Sequence, residues 1–125
     1  MAQYAYPASD VDNSGAWTSA PLYAKIDEEP YDDGDYVTSP KTASSKSFTV
    51  GLGGTISDPA SSTGHIFRVR ARSSGSGTMQ VELLEGSTVR ATLSTFSLTT
   101  SFAEYSYTLT GTEADSITDY TALRI

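Results

Sequence analysis

The chain has 125 residues, a formal charge of −7, no cysteine and one histidine, His65. That length is close to the usual size of a single domain. The absence of cysteine excludes a disulfide framework and any Cys/His metal site, and the acidic balance argues against a nucleic-acid footprint, which needs a basic surface. No stretch approaches the roughly 20 apolar residues of a membrane span.

Residues 1–9 show no alternation and read as an extended arm. Met-Ala-Gln-Tyr-Ala-Tyr-Pro has neither the basic nor the apolar region of a signal peptide, so release by lysis rather than secretion is expected if the protein works outside a cell. Asp10 to Gly15 is a cluster of turn formers. Trp17 then opens an apolar segment with Leu22, Tyr23 and Ile26. Glu29-Pro30 and Asp32-Asp33-Gly34-Asp35 predict a polar loop, because Gly permits positive φ and Asp caps its own turn. Tyr36-Val37-Thr38 predicts a short strand closed by Ser39-Pro40. Ser47 to Leu52 alternates, with Phe48, Val50 and Leu52 on one face and glycines that suggest a bulge.

The clearest strand is 65–72. Side chains on a strand alternate with period two, so Phe67, Val69 and Ala71 share one face and Arg68, Arg70 and Arg72 the other. The same alternation recurs at Met79-Val81-Leu83, at Val89-Ala91-Leu93 and at Tyr105-Tyr107-Leu109. Strands over 78–84 and 88–94 read as a hairpin around a three-residue loop, Glu85-Gly86-Ser87. Thr112, followed three residues later by Asp115, reads as an N-cap, with one short helical turn near 112–118. Tyr120 to Ile125 is a last strand, expected to pair with the sheet. Short strands separated by turns every 8–12 residues or so are the pattern of an antiparallel sandwich or jelly roll.

Few residues carry reactive chemistry. Asp10-Val-Asp12-Asn-Ser14-Gly15 resembles the start of a calcium loop, but its twelfth position is Pro21 where a bidentate Glu is needed, so an Asx-rich turn is favoured. Asp27, Glu28, Glu29, Asp32, Asp33 and Asp35 supply six of the fifteen acids; calcium is possible there, and a solvated edge loop is favoured. His65 has no second histidine or cysteine beside it in the sequence, and no Gly-x-Ser-x-Gly elbow is present. Arg68, Arg70 and Arg72 either grip an acidic partner or pair across the sheet with Glu82 or Glu104. Of eight tyrosines, Tyr105 and Tyr107 point inward, whereas Tyr4 and Tyr6, on the arm, are the best candidates for docking.

Several phrases, taken in order, resemble one family. They are Trp17, Leu22-Tyr-Ala-Lys-Ile-Asp27-Glu28, Asp35-Tyr36-Val-Thr-Ser-Pro40, Asp58-Pro-Ala-Ser-Ser-Thr-Gly-His65, Leu109-Thr-Gly-Thr-Glu-Ala-Asp115 and Ile117-Thr-Asp-Tyr-Thr-Ala-Leu123-Arg124. Together they resemble the small β-sandwich structural proteins of tailed bacteriophages and prophages, over most of the chain from Asp10 on. The resemblance implies a virion component and carries no catalytic residue. The expectation is an all-β, jelly-roll-like antiparallel β-sandwich, one domain over 10–125 behind the arm 1–9. It would act as a capsid decoration (cement) protein, not an enzyme, made in the host bacterial cytoplasm and placed as a homotrimer on the virion capsid surface. Its partner would be the major capsid protein or another virion protein, with no cofactor, nucleic acid or membrane. The alternative is a receptor- or glycan-binding module of a tail or head fibre.

Overall fold

A computed structural model describes residues 2–54 and 56–125. The chain is all-β, with antiparallel pairing in every ladder and one short helix. It divides into two compact units, Met1–Ser57 with Thr121–Ile125, and Asp58–Tyr120.

In the first unit, β1 (Tyr6–Asp12) pairs with β2 (Thr49–Gly53), and β2 pairs in turn with β9 (Leu123–Arg124). The expected arm is therefore a paired strand from Tyr6 on. Alternation is hidden there because the ladder shifts register between Pro7 and Ser9 and again between Asp10 and Asp12, and each bulge resets which face a residue occupies. β1 stands at the end of its sheet. Pro7, which has no N–H to offer, and the two bulges make that edge a poor template for unwanted pairing. Gly53 lets the strands close up: a Cβ there would lie 2.5 Å from that of Ala8. Leu22, Val50 and Leu123 form the buried core of this unit. Val50 and Ile125 exchange both backbone hydrogen bonds, at 2.9 and 3.0 Å. Tyr120–Ala122 forms a 3-10 turn, so the expected last strand shortens to Leu123–Arg124. Tyr36–Thr38 forms no strand; Thr38 makes only an isolated bridge with Thr18.

In the second unit, β3 (Ile66–Ala71) pairs along its full length with β8 (Ala103–Thr108). Phe67 faces Tyr107 and Val69 faces Tyr105, aromatic and β-branched pairs of the kind that stabilise a ladder. The expected strand 78–84 is two strands. β4 (Gly77–Met79) pairs with β7 (Phe96–Leu98), whereas β5 (Glu82–Glu85) pairs with β6 (Thr88–Thr92). The hairpin loop has two residues, since Glu85 pairs with Thr88. Gly86 takes φ of 60° at the first central position, where a type II′ turn calls for glycine.

Val89 is not inward as its alternation predicts. A register shift between Leu83 and Leu84 sets Val89 opposite Leu84 and leaves it 46% exposed, while Ala91 and Leu93 are buried. The helix, α1, is Gly111–Asp115, and its N-cap is Thr110 rather than Thr112. Thr110 and Glu113 form a full capping box: the Glu113 N–H donates to Thr110 Oγ1 at 3.3 Å, and the Thr110 N–H donates to Glu113 Oε2 at 2.8 Å. This frame puts buried Leu109 at N′ and buried Ala114 at N4, the two positions of a hydrophobic staple.

Candidate functional site

The candidate docking tyrosines are held on structured backbone. Their rings lie 6.3 Å apart and 13° from parallel, and Tyr4 is 61% exposed. The Tyr6 backbone is in register with Gly53. Upstream, the Gln3 side chain clasps Ser57, accepting its N–H at 2.8 Å and donating to its carbonyl at 3.2 Å. Both sides of Tyr4 are thus tethered, and the pair presents an aromatic face that loses little further entropy on contact.

The arginines sit on the outer face of β3 and just beyond it, in the second unit. Arg70 is in register with Glu104. Arg68 Nε lies 4.0 Å from Glu104 Oε1, with both side chains 49% exposed, so that pair contributes little to stability. The Arg72 guanidinium lies 5.1 Å over the Phe102 ring, a cation–π stack that holds it in place. Cross-strand pairing with Glu104 is therefore present, and Glu82 is on a different ladder. Each candidate set is brought together within its own unit: the tyrosines in the first, the arginines in the second.

The stretch resembling a calcium loop is occupied by its own backbone. Both Asp10 carboxylate oxygens accept N–H groups at 2.8 Å, from Leu22 and Tyr23. Asp12 accepts from Ser14 N and Oγ, an Asx turn. Among the described residues no group of three or more His, Asp or Glu is placed to hold a metal ion, and no helix is long and apolar enough to cross a membrane. In the acidic loop, Asp35 pairs with Lys25, Nζ to Oδ1 at 3.1 Å.

His65 Nε2 is 2.7 Å from Tyr120 Oη. Burial, with Asp58 and Asp115 nearby, pushes the Tyr120 phenol up from its ordinary range. His65 Nδ1 is buried with no hydrogen-bond partner among the described residues. Among the described residues, the hydroxyl that meets this imidazole is that of Tyr120.

The polar network that sequence reading missed is centred on Glu85. Its carboxylate accepts Thr118 Oγ1 at 2.6 Å, Thr118 N at 2.8 Å and Arg90 Nε at 3.1 Å. Those bonds, Thr118 first, hold its pKa down to about 2. Glu85 ends β5 and Thr118 follows α1, separated by 33 residues, so no local pattern could link them.

Comparison with family models, with curated proteins and with solved structures gave no match.

Proposed function

We propose that the chain is a virion structural protein of a tailed bacteriophage: a decoration (cement) protein with a jelly-roll-like sandwich that binds the assembled head as a homotrimer. The observation that carries this reading is the tethered Tyr4–Tyr6 pair. Two near-parallel aromatic rings, one largely exposed and both held on tied backbone, have the composition and preorganisation of an interface anchor. The sequence phrases that resemble those of phage β-sandwich structural proteins point to the same class of partner, the major capsid protein or another virion protein.

The mechanism is mass action. A subunit that binds the assembled lattice and not its dissociated parts stabilises the lattice by its own binding free energy. Tyr4 and Tyr6 would anchor. Arg68, Arg70 and Arg72 would face carboxylates of the lattice or of a sister subunit, where arginine can leave a weak exposed pair for a better desolvated one. The reading requires no cofactor and no catalysis. It places the protein on the capsid surface after synthesis in the host cytoplasm.

The test is light scattering for oligomeric state, then co-sedimentation with empty heads of the phage or prophage that carries the gene. A trimer that pellets with heads is expected. The double variant Tyr4→Ala/Tyr6→Ala should bind at least about tenfold more weakly, the loss of 1.4 kcal/mol or more that a hot-spot pair supplies. A monomer that stays in the supernatant overturns the reading.

A further inference from the structure

The first unit has a second surface that head binding does not use. A shallow cleft of about 370 Å3 is lined by Thr18, Ser19, Lys25, Asp35, Tyr36 and Thr38. Three backbone devices build it. Thr18 and Thr38 exchange backbone hydrogen bonds, Thr18 N to Thr38 O at 3.0 Å and Thr38 N to Thr18 O at 2.6 Å, which sets their side chains side by side. The 3-10 turn Tyr23–Lys25 delivers Lys25. A tight turn delivers Asp35: its N–H donates to the Asp32 carbonyl at 3.1 Å, and the Gly34 N–H donates to Asp32 Oδ1 at 2.8 Å.

The chemistry of the lining selects a ligand class. Lys25 Nζ is 3.1 Å from Asp35 Oδ1 and 3.4 Å from Oδ2, and each side chain is about a third exposed. Within the lining itself, the charges of Lys25 and Asp35 balance. The ammonium has three donors and the carboxylate about four acceptor sites, so their mutual contact leaves capacity on both. Hydroxyls of Thr18, Ser19 and Thr38, each able to donate and accept, stand beside them. Tyr36 adds a ring that is 45% exposed. Adjacent donors and acceptors of zero net charge, next to an aromatic face, match adjacent hydroxyls on a ring whose other face is C–H. The volume lies in the lower part of the roughly 300–1,000 Å3 range of small-molecule clefts.

We propose that this cleft binds a neutral saccharide, with vicinal hydroxyls bridging Lys25 and Asp35 and the C–H face of the sugar on Tyr36. The inference is independent of head binding, because it uses neither the tyrosine pair nor the arginines.

The experiment is a titration of the 15N-labelled full chain, followed by amide shifts, with the methyl glycosides of glucose, galactose, mannose and N-acetylglucosamine. The expected result is saturable shifts confined to Thr18, Ser19, Lys25, Gly34 to Tyr36 and Thr38 for at least one glycoside. Tyr36→Ala and Asp35→Asn should each weaken binding about tenfold or more, and Tyr36→Phe, which keeps the ring, should bind within about threefold of the parent. Spectra unchanged outside the cleft show that each variant is folded. The proposal is overturned by three results: no saturable shift with any glycoside, shifts that survive in both Tyr36→Ala and Asp35→Asn, or cleft shifts seen with spermine or sulfate and not with the glycosides.

Discussion

Three donors converge on the Glu85 carboxylate, whose side chain is only 11% exposed. In the unfolded chain this group titrates near 4.5, and in the fold near 2. A depressed pKa stabilises the fold at pH values above the unfolded pKa, and that contribution is lost as pH falls from about 4.5 toward about 2. Glu85→Gln keeps the shape and removes the charge. It should lower the melting temperature at pH 7 and flatten the decline between pH 4.5 and 2. Thermal melts of both proteins across that range check the prediction, and parallel pH profiles would show that the three bonds contribute nothing through the charge. Leu93 is a simpler case. It is fully buried in the second unit, and Leu93→Ala should destabilise by about 2–5 kcal/mol through lost transfer energy and a residual cavity, read by denaturant titration.

Turns and caps decide how far each element could be read from sequence. The ladder of β3 and β8 was legible because six consecutive residues pair without a bulge, so period two survives and places Arg68 and Arg70 outward. β1 was not, because two bulges in seven residues erase the period. β4 and β5 merged in the sequence for the opposite reason: Met79, Val81 and Leu83 keep the alternation while the pairing partner changes between them. The cap was misplaced by two residues because Thr110-x-x-Glu113 and Thr112-x-x-Asp115 carry the same signature; burial of Leu109 and Ala114 favours the first. Of the candidate site residues, Arg68 and Arg70 share one face of β3 as their alternation predicts, whereas nothing in the sequence signals that Gln3, next to Tyr4, is tied to Ser57 across 54 positions. Two element-scale outcomes follow from the observed frame. Thr110→Ala should cost about 1 kcal/mol and Thr112→Ala much less, since only the first caps. Gly86→Ala should cost roughly 1–2 kcal/mol from positive φ alone, because an added Cβ there meets nothing within 4 Å. Equilibrium denaturation of the three variants separates these effects.

At the scale of the whole chain, the first unit is closed by its most distant residues. Thr121–Ile125 return to β2, where Ile125 and Val50 share two backbone hydrogen bonds and Leu123 is buried with Leu22 and Val50 as the core. Removing residues 121–125 takes away a buried leucine, worth about 2–5 kcal/mol, and two hydrogen bonds of about 1 kcal/mol each. It also leaves Val50, fully buried now, on an open edge. A loss on the order of 4 kcal/mol or more is a large part of the roughly 5–15 kcal/mol that holds a domain together. Trp17, the chain's single tryptophan, lies in the same unit, edge-on to Phe48 at 4.9 Å, and reports on it directly. The truncated chain should show a red-shifted Trp17 emission and a markedly lower denaturation midpoint. Emission and midpoint equal to those of the full chain would mean that β1 and β2 hold the first unit without β9, and that its core does not depend on the returning strand.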